Sequence, residues 1–185
     1  HTPIEINSTT TIKASLYQDA KPVGKVFEKT FNYHKAVGKK VIYNTLYSDR
    51  YKGKGATNMV NIVRGTKNFH DGQWQAWITK DMELTIDLEK ETEISNVTVG
   101  TMEHQGPGIY FPTQIEVLLS NDGEKFSSAG KINRPYKNNA TVLLKDFNIN
   151  FDAQKTRFVK VKAKRYKKSE GGNDVWIFVD EVVVR

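Results

Sequence analysis

Short apolar runs recur along the chain with turn residues between them, and many alternate strictly with polar positions. Alternation puts successive side chains on opposite faces, the pattern of a half-buried strand, whereas helical periodicity is almost absent. Thr10-Thr-Ile-Lys-Ala-Ser-Leu-Tyr17 alternates, Gln18-Asp-Ala-Lys-Pro22 turns, and residues 23–31 continue, which predicts a β-hairpin. Further strands are predicted at residues 40–45, 82–88, 93–101, 114–120, 140–147, 157–163 and 175–184. Asn121-Asp-Gly123 is a tight-turn signal. Residues 52–56 read as a loop, and residues 58–77 as irregular structure at one end of the fold. Short strands at this spacing predict an all-β fold, a sandwich or barrel.

The first hairpin is self-contained, and residues 35–40 read as a connector. The boundary is therefore placed after residue 38. Residues 1–38 are expected to be the remnant of a small β module, and residues 39–185 the main sandwich. A lone hairpin is marginal in water, so the remnant is expected to pack on the sandwich or to lack partner strands.

Composition changes this picture little. Nine Phe, eight Tyr and three Trp within a 38% apolar chain supply a sizeable core. The absence of Cys excludes disulfides, thiolate zinc sites and cysteine nucleophiles. No run approaches the roughly 20 apolar residues of a membrane helix. The chain opens His1-Thr2-Pro3 without Met or a signal peptide, and reads as a piece of a longer protein.

The formal charge of +7 is concentrated in the run from Lys155 to Lys168. Clustered cations can bind a polyanion. Against this, Val159, Val161 and Ala163 alternate with Lys160, Lys162 and Lys164, as on an edge strand whose lysines face solvent and block sheet association. No nucleic-acid motif accompanies the run, so the solvated face is the preferred reading and no nucleic-acid partner is expected.

Asp180-Glu181 is the adjacent carboxylate pair that invites an acid–base reading. Neighbours on a strand point apart, so the two are not expected to converge on one bond. No nucleophile elbow, paired-histidine metal motif or phosphate loop occurs, and His1, His34, His70 and His104 show no ligand spacing. The richest segment is Asn68-Phe-His-Asp-Gly-Gln-Trp-Gln-Ala-Trp77. Aromatic faces stack on pyranose rings while planar polar groups bond hydroxyls, so Phe69, His70, Trp74 and Trp77 are candidate sugar-binding residues. One of the two tryptophans is expected in the core. His104, Tyr110, Arg134 and Tyr136 fall in other inter-strand segments that could share this rim.

The ordered pieces Asn61-Ile-Val-Arg-Gly65, Asp71-Gly-Gln-Trp-Gln-Ala-Trp77, Leu84-Thr-Ile-Asp-Leu88, Phe111-Pro-Thr-Gln-Ile-Glu-Val117, Ser120-Asn-Asp-Gly123, Arg157-Phe-Val-Lys-Val-Lys-Ala163 and Trp176-Ile-Phe-Val-Asp-Glu181 resemble the discoidin, or coagulation factor type C, domain. The resemblance is to the form at the C-terminus of Bacteroides-like family 20 glycoside hydrolases, the β-N-acetylhexosaminidases or chitobiases. It implies a galactose-binding-like jelly-roll sandwich, non-catalytic in itself, with the hydrolase barrel as its partner in cis. Residues 10–35 look like the tail of the module that joins barrel and sandwich in those enzymes.

The resemblance also implies a bacterial, periplasmic or cell-surface protein and a structural calcium. Asn61 stands where the family has Asp and Ile62 where it has Gly, while Glu181 matches the C-terminal acidic position. Asn61, Thr66, Asp71 and Glu181 are the candidate ligands. Trp176 joins the candidate sugar-binding residues from its chemistry. The expected role is a carbohydrate-binding accessory domain for glycans ending in N-acetylhexosamine or galactose. The alternative is a structural domain packed on the catalytic barrel with no ligand of its own. A further possibility is an anionic lipid or polysaccharide held by the basic strand.

Overall fold

The computed structural model describes residues 3–167 and 175–185, so His1 and Lys168 lie outside the described residues. The chain forms two compact units, His1–His34 and Lys35–Arg185. The first is the predicted hairpin, β1 (Thr10–Gln18) against β2 (Lys21–Phe31). Asp19 and Ala20 both have positive φ, the two-residue turn whose twist matches that of the flanking strands.

Among the described residues the second unit is all-β apart from two short 3₁₀ turns, Asp49–Tyr51 and Gly55–Val60. Its strands are β3 (Lys40–Tyr43), β4 (Gln75–Ile78), β5 (Met82–Glu103), β6 (Gln114–Ser120), β7 (Ser127–Asn133), β8 (Leu143–Lys164) and β9 (Trp176–Val184). All their pairings are antiparallel. The predicted strands 82–88 and 93–101 are one long strand, as are 140–147 and 157–163. β5 and β8 pair along nearly their whole length, with a register break between Asp87 and Thr92 where Glu89 takes a left-handed turn.

Beyond that break the same two strands enter the other layer of a jelly-roll sandwich. One layer contains β4, β9, residues 92–103 of β5 and the start of β8. The other contains β3, residues 82–88 of β5, the end of β8, β6 and β7. Their inner faces bury Leu84, Ile86, Val117, Val159 and Val161 with Val97, Val99, Phe147, Ile149, Val182 and Val184. Burying one such aliphatic side chain is worth about 1.5–3 kcal/mol before chain entropy is charged against it.

The basic strand alternates as predicted, with Val159, Val161 and Ala163 buried. It is not an edge strand. β8 lies between β5 and β6, so its outward lysines sit on a central strand. Lys160 and Lys162 both reach Glu83, at 3.4 and 3.7 Å.

At the corner of the fold Arg157 grips both oxygens of Asp87, at 2.8 and 2.9 Å. Those hydrogen bonds, with one from the Glu89 amide, hold the Asp87 carboxyl below the usual range against a smaller opposing effect of burial. A lowered carboxylate value contributes stability above the unfolded value, about 3.9, that is lost as pH falls through the folded one. Asp87→Asn is therefore expected to unfold earlier in urea at neutral pH. The gap to the parent should close below about pH 4. A gap that stays constant down to pH 2 would show that the pair does not carry this linkage.

Candidate functional site

Both ends of β5, 22 residues long, lie at one end of the sandwich. β8 is arranged in the same way. Residues 104–113 close that end, with the Thr113 amide donating to the Lys164 carbonyl and the Tyr110 amide to the Trp176 carbonyl. The loops that carry polar and aromatic residues collect here.

Two buried amides set the loop before β4. Asn58 accepts from the Lys54 amide and donates to the carbonyls of Gln73 and Asp180. Gln75 donates to the carbonyls of Lys52 and Gly55 and accepts from the Tyr43 hydroxyl. Gly53, with φ 52°, lies so close to the Asn58 amide that a Cβ there would collide with it. Together these contacts fix the turn that presents Tyr51.

The loop from Asn61 to Trp74 is braced by its own side chains. Asp71 Oδ2 accepts from the Thr66 amide and hydroxyl, and Asp71 Oδ1 accepts from the Gln73 amide. Asn68 Oδ1 accepts from the His70 amide. Asn61 Oδ1 accepts from the Val63 amide across Ile62, whose φ of 59° is left-handed. A non-glycine residue in that conformation costs about 1–2 kcal/mol, so Ile62 holds this turn at a penalty.

Three of the four candidate calcium ligands, Asn61, Thr66 and Asp71, thus serve turns of this loop, while Glu181 is buried in β9. Among the described residues no three His, Cys, Asp or Glu side chains gather in a way that could hold a metal ion.

A charge cluster pins this loop to the sandwich. Arg64 Nε donates to Asp180 Oδ2 at 2.8 Å, its two terminal nitrogens donate to Asp146, and the Gly65 amide also reaches Asp180 Oδ2. Asp180 sits at a β-bulge, since Gly100 faces Glu181 and the next pair is Thr101 with Val179. The bulge turns the carboxylate toward Arg64, and the Asp180 and Glu181 residues are each only 1% exposed. A Cβ on Gly100 would strike Asp180 and Arg64, so the guanidinium needs the bare backbone there. Burial pushes the Asp180 carboxyl up, and Arg64 and the Gly65 amide only partly offset it. Burial acts to lower Arg64 as well, but its hydrogen bonds to Asp146 and Asp180 raise it overall. The bonds from Arg64 Nε and the Gly65 amide both fall on Asp180 Oδ2 and tie that oxygen to the Arg64–Gly65 segment.

The candidate sugar-binding residues divide into three groups. Trp74 and Trp77 are both core residues, 2% and 1% exposed, which corrects the expectation that one would be open. Trp77 donates to the Thr45 carbonyl, and Trp74 to the Thr66 carbonyl from a second small core with Ala76, Met102, Ile109 and Phe178. Phe69, His70, His104 and Trp176 converge. Phe69 lies 4.1 Å from His70 and 5.9 Å from His104, and Tyr51 lies 5.2 Å from Trp176 between ring centroids. Tyr110, Arg134 and Tyr136 form a neighbouring group, where Arg134 reaches buried Glu103 and lies over the Phe111 ring.

An open groove of about 210 Å³ runs between the two loops, lined by Asp49, Arg50, Tyr51 and Lys52 on one side and Phe69 and His70 on the other, and the largely buried Trp74 also borders it. Tyr51 did not emerge from the sequence reading. Its place between two cations just before Gly53 was the available signal.

A family model described as the F5/8 type C domain matches residues 43–180. The chain belongs to the F5/8 type C domain family. This bears out the resemblance to the discoidin, or type C, domain read from the ordered motifs. No curated protein matches the sequence.

Solved structures with the same fold as this type C domain include CpGH89CBM32-6 produced by Clostridium perfringens, at 16% identity and TM-score 0.50, covering 83% of this chain and 98% of that one. CpGH89CBM32-4 of the same organism, in complex with GlcNAc-α-1,4-galactose, matches at 16% identity and TM-score 0.51 over 82% and 92% of the two chains. Chitosan-binding module 1 from a chitosanase/glucanase of Paenibacillus sp. IK-5 matches at 13% identity and TM-score 0.53 over 83% and 99%. Among the described residues no helix of this type C domain is long and apolar enough to cross a membrane.

Proposed function

We propose that residues 35–185 are a non-catalytic carbohydrate-binding module that serves a glycoside hydrolase in cis, with the groove between Tyr51 and Phe69 as its ligand site. The observation that carries this reading is the groove itself. Aromatic rings and an exposed His stand beside Arg50, Asp49 and Lys52, on loops braced from below by Asn58, Gln75 and Asp71. Rings offer a face to the apolar side of a pyranose, and the charged groups offer donors and acceptors to its hydroxyls. The fold likeness to a module in complex with GlcNAc-α-1,4-galactose and to a chitosan-binding module supports a glycan ligand.

The finer reading is a β-N-acetylhexosaminidase parent acting outside the cytoplasm, with N-acetylhexosamine or galactose ends as ligand. A shallow groove binds one sugar weakly, on the order of millimolar, and tethering to the enzyme raises the effective concentration. On a glycan array the chain should bind such ends selectively. Phe69→Ala and His70→Ala should each lower the signal about tenfold or more, which is about 1.4 kcal/mol, without lowering the melting temperature of His70→Ala. Undiminished binding by both variants would sink this site. Failure of the parent chain to bind any glycan would leave the purely structural role.

A further inference from the structure

We infer that the same end of the sandwich carries a second saccharide site, selective for anionic sugars, where Lys164, Arg165, Tyr166 and Lys167 face Asp81 and Thr113. These six residues line a groove of about 350 Å³ that shares no residue with the Tyr51 groove. Three are cations and one is an acid. The backbone is held in place, because the Thr113 amide donates to the Lys164 carbonyl and the Arg165 amide to Asp81 Oδ1, both at 2.9 Å.

Lys160, Lys162 and Arg157 on the same strand are engaged by Glu83 and Asp87. Lys164, Arg165 and Lys167 have no carboxylate within ion-pair distance among the described residues. An aromatic platform is fixed beside them. The Tyr166 ring stacks on Tyr136 at 4.5 Å with 16° between planes, and Tyr110 closes the set at 5.2 Å from Tyr166.

Cations alone would suit any anion, and tyrosines alone any sugar. Side by side they suit a sugar ring bearing a carboxylate, which Arg165 can meet with two parallel hydrogen bonds while the ring lies against Tyr166. A neutral glycan would leave the cations without a partner. A free phosphate or lipid headgroup would leave the rings unused.

The test is calorimetric titration of the chain with trigalacturonate, run on the parent and on Arg165→Ala/Lys167→Ala, Tyr166→Ala and Phe69→Ala, each checked for an unchanged melting temperature. The parent should bind, more weakly as salt rises. The double variant should lose about fivefold or more, the scale of one or two exposed charge contacts. Tyr166→Ala should lose affinity as well, and Phe69→Ala none. No binding by the parent, or full binding by the double variant, overturns the site. So does equal binding of triglutamate or of a short single-stranded DNA, which would make it a general cation patch. Loss in Phe69→Ala alone would place the sugar in the other groove and also overturns it. Failure of neutral glycans to bind, with trigalacturonate still bound, touches only the Tyr51 groove.

Discussion

Replacing Arg64 with methionine is expected to lower the stability of the type C domain by about 2 kcal/mol, less than the roughly 3–5 kcal/mol of a fully buried pair because the Arg64 side chain is 38% exposed. Methionine keeps the apolar stem and removes the charge. Asp180, whose side chain is 2% exposed, is then left with a single amide donor, that of Gly65. Asp146 has little to lose, being 46% exposed and able to turn to water. The measurement is urea unfolding of parent and variant at neutral pH. The double variant Arg64→Met/Asp180→Leu should recover much of the loss, because an apolar pair of similar volume is often as stable as a buried ion pair. A loss under about 0.5 kcal/mol in the single variant, the scale of an ordinary surface change, would mean that the cluster is an exposed one. Since Arg64 anchors the loop that presents Phe69 and His70, weaker glycan binding should accompany the loss.

The second large effect is on Trp74. Trp74→Ala is expected to cost about 3–5 kcal/mol, as for other buried aromatics cut to alanine. The indole fills the small core beside Phe178, donates to the Thr66 carbonyl, and lies so tightly on Gly65 that a Cβ there would collide with it. Trp74→Phe should cost less, since it keeps the ring and loses the hydrogen bond. A sugar platform would show the reverse, an unchanged melting temperature with binding abolished. A Trp74→Ala variant that melts like the parent would overturn the core assignment.

How far these outcomes were legible in the chain depended on the reach of each signal. Alternation was enough to place β6 and to assign faces on the basic strand. It failed where a strand is polar, as at β7, whose Ser-Ser-Ala-Gly-Lys-Ile-Asn is mostly exposed. It failed again where a strand is buried on both sides, as at β4, whose Gln-Ala-Trp-Ile shows no alternation at all. Glu89-Lys-Glu91 reads as a break between two strands because the corner of a bent strand is solvated like a turn. Of the site, Phe69 and His70 were legible as an unusual local grouping. Arg64 was not, because its partner Asp180 is 116 positions away and the bulge that aims it depends on the register of a neighbouring strand. No local pattern told an exposed tryptophan from a buried one.

Because β5 and β8 each belong to both layers, the sandwich has no seam. Two sheets joined only by loops can slide or part with most of their ladders intact. Here the layers cannot separate without tearing the 22-residue strands at the Asp87–Thr92 corner. Partial opening is thus confined to what hangs off the ladder, namely the β7 edge and the loops that carry Tyr51 and Phe69. Amide protons of residues 82–88 and 157–163 should therefore exchange at the same free energy as those of residues 97–102, as one cooperative block. Those loops can move without loosening the body that holds them.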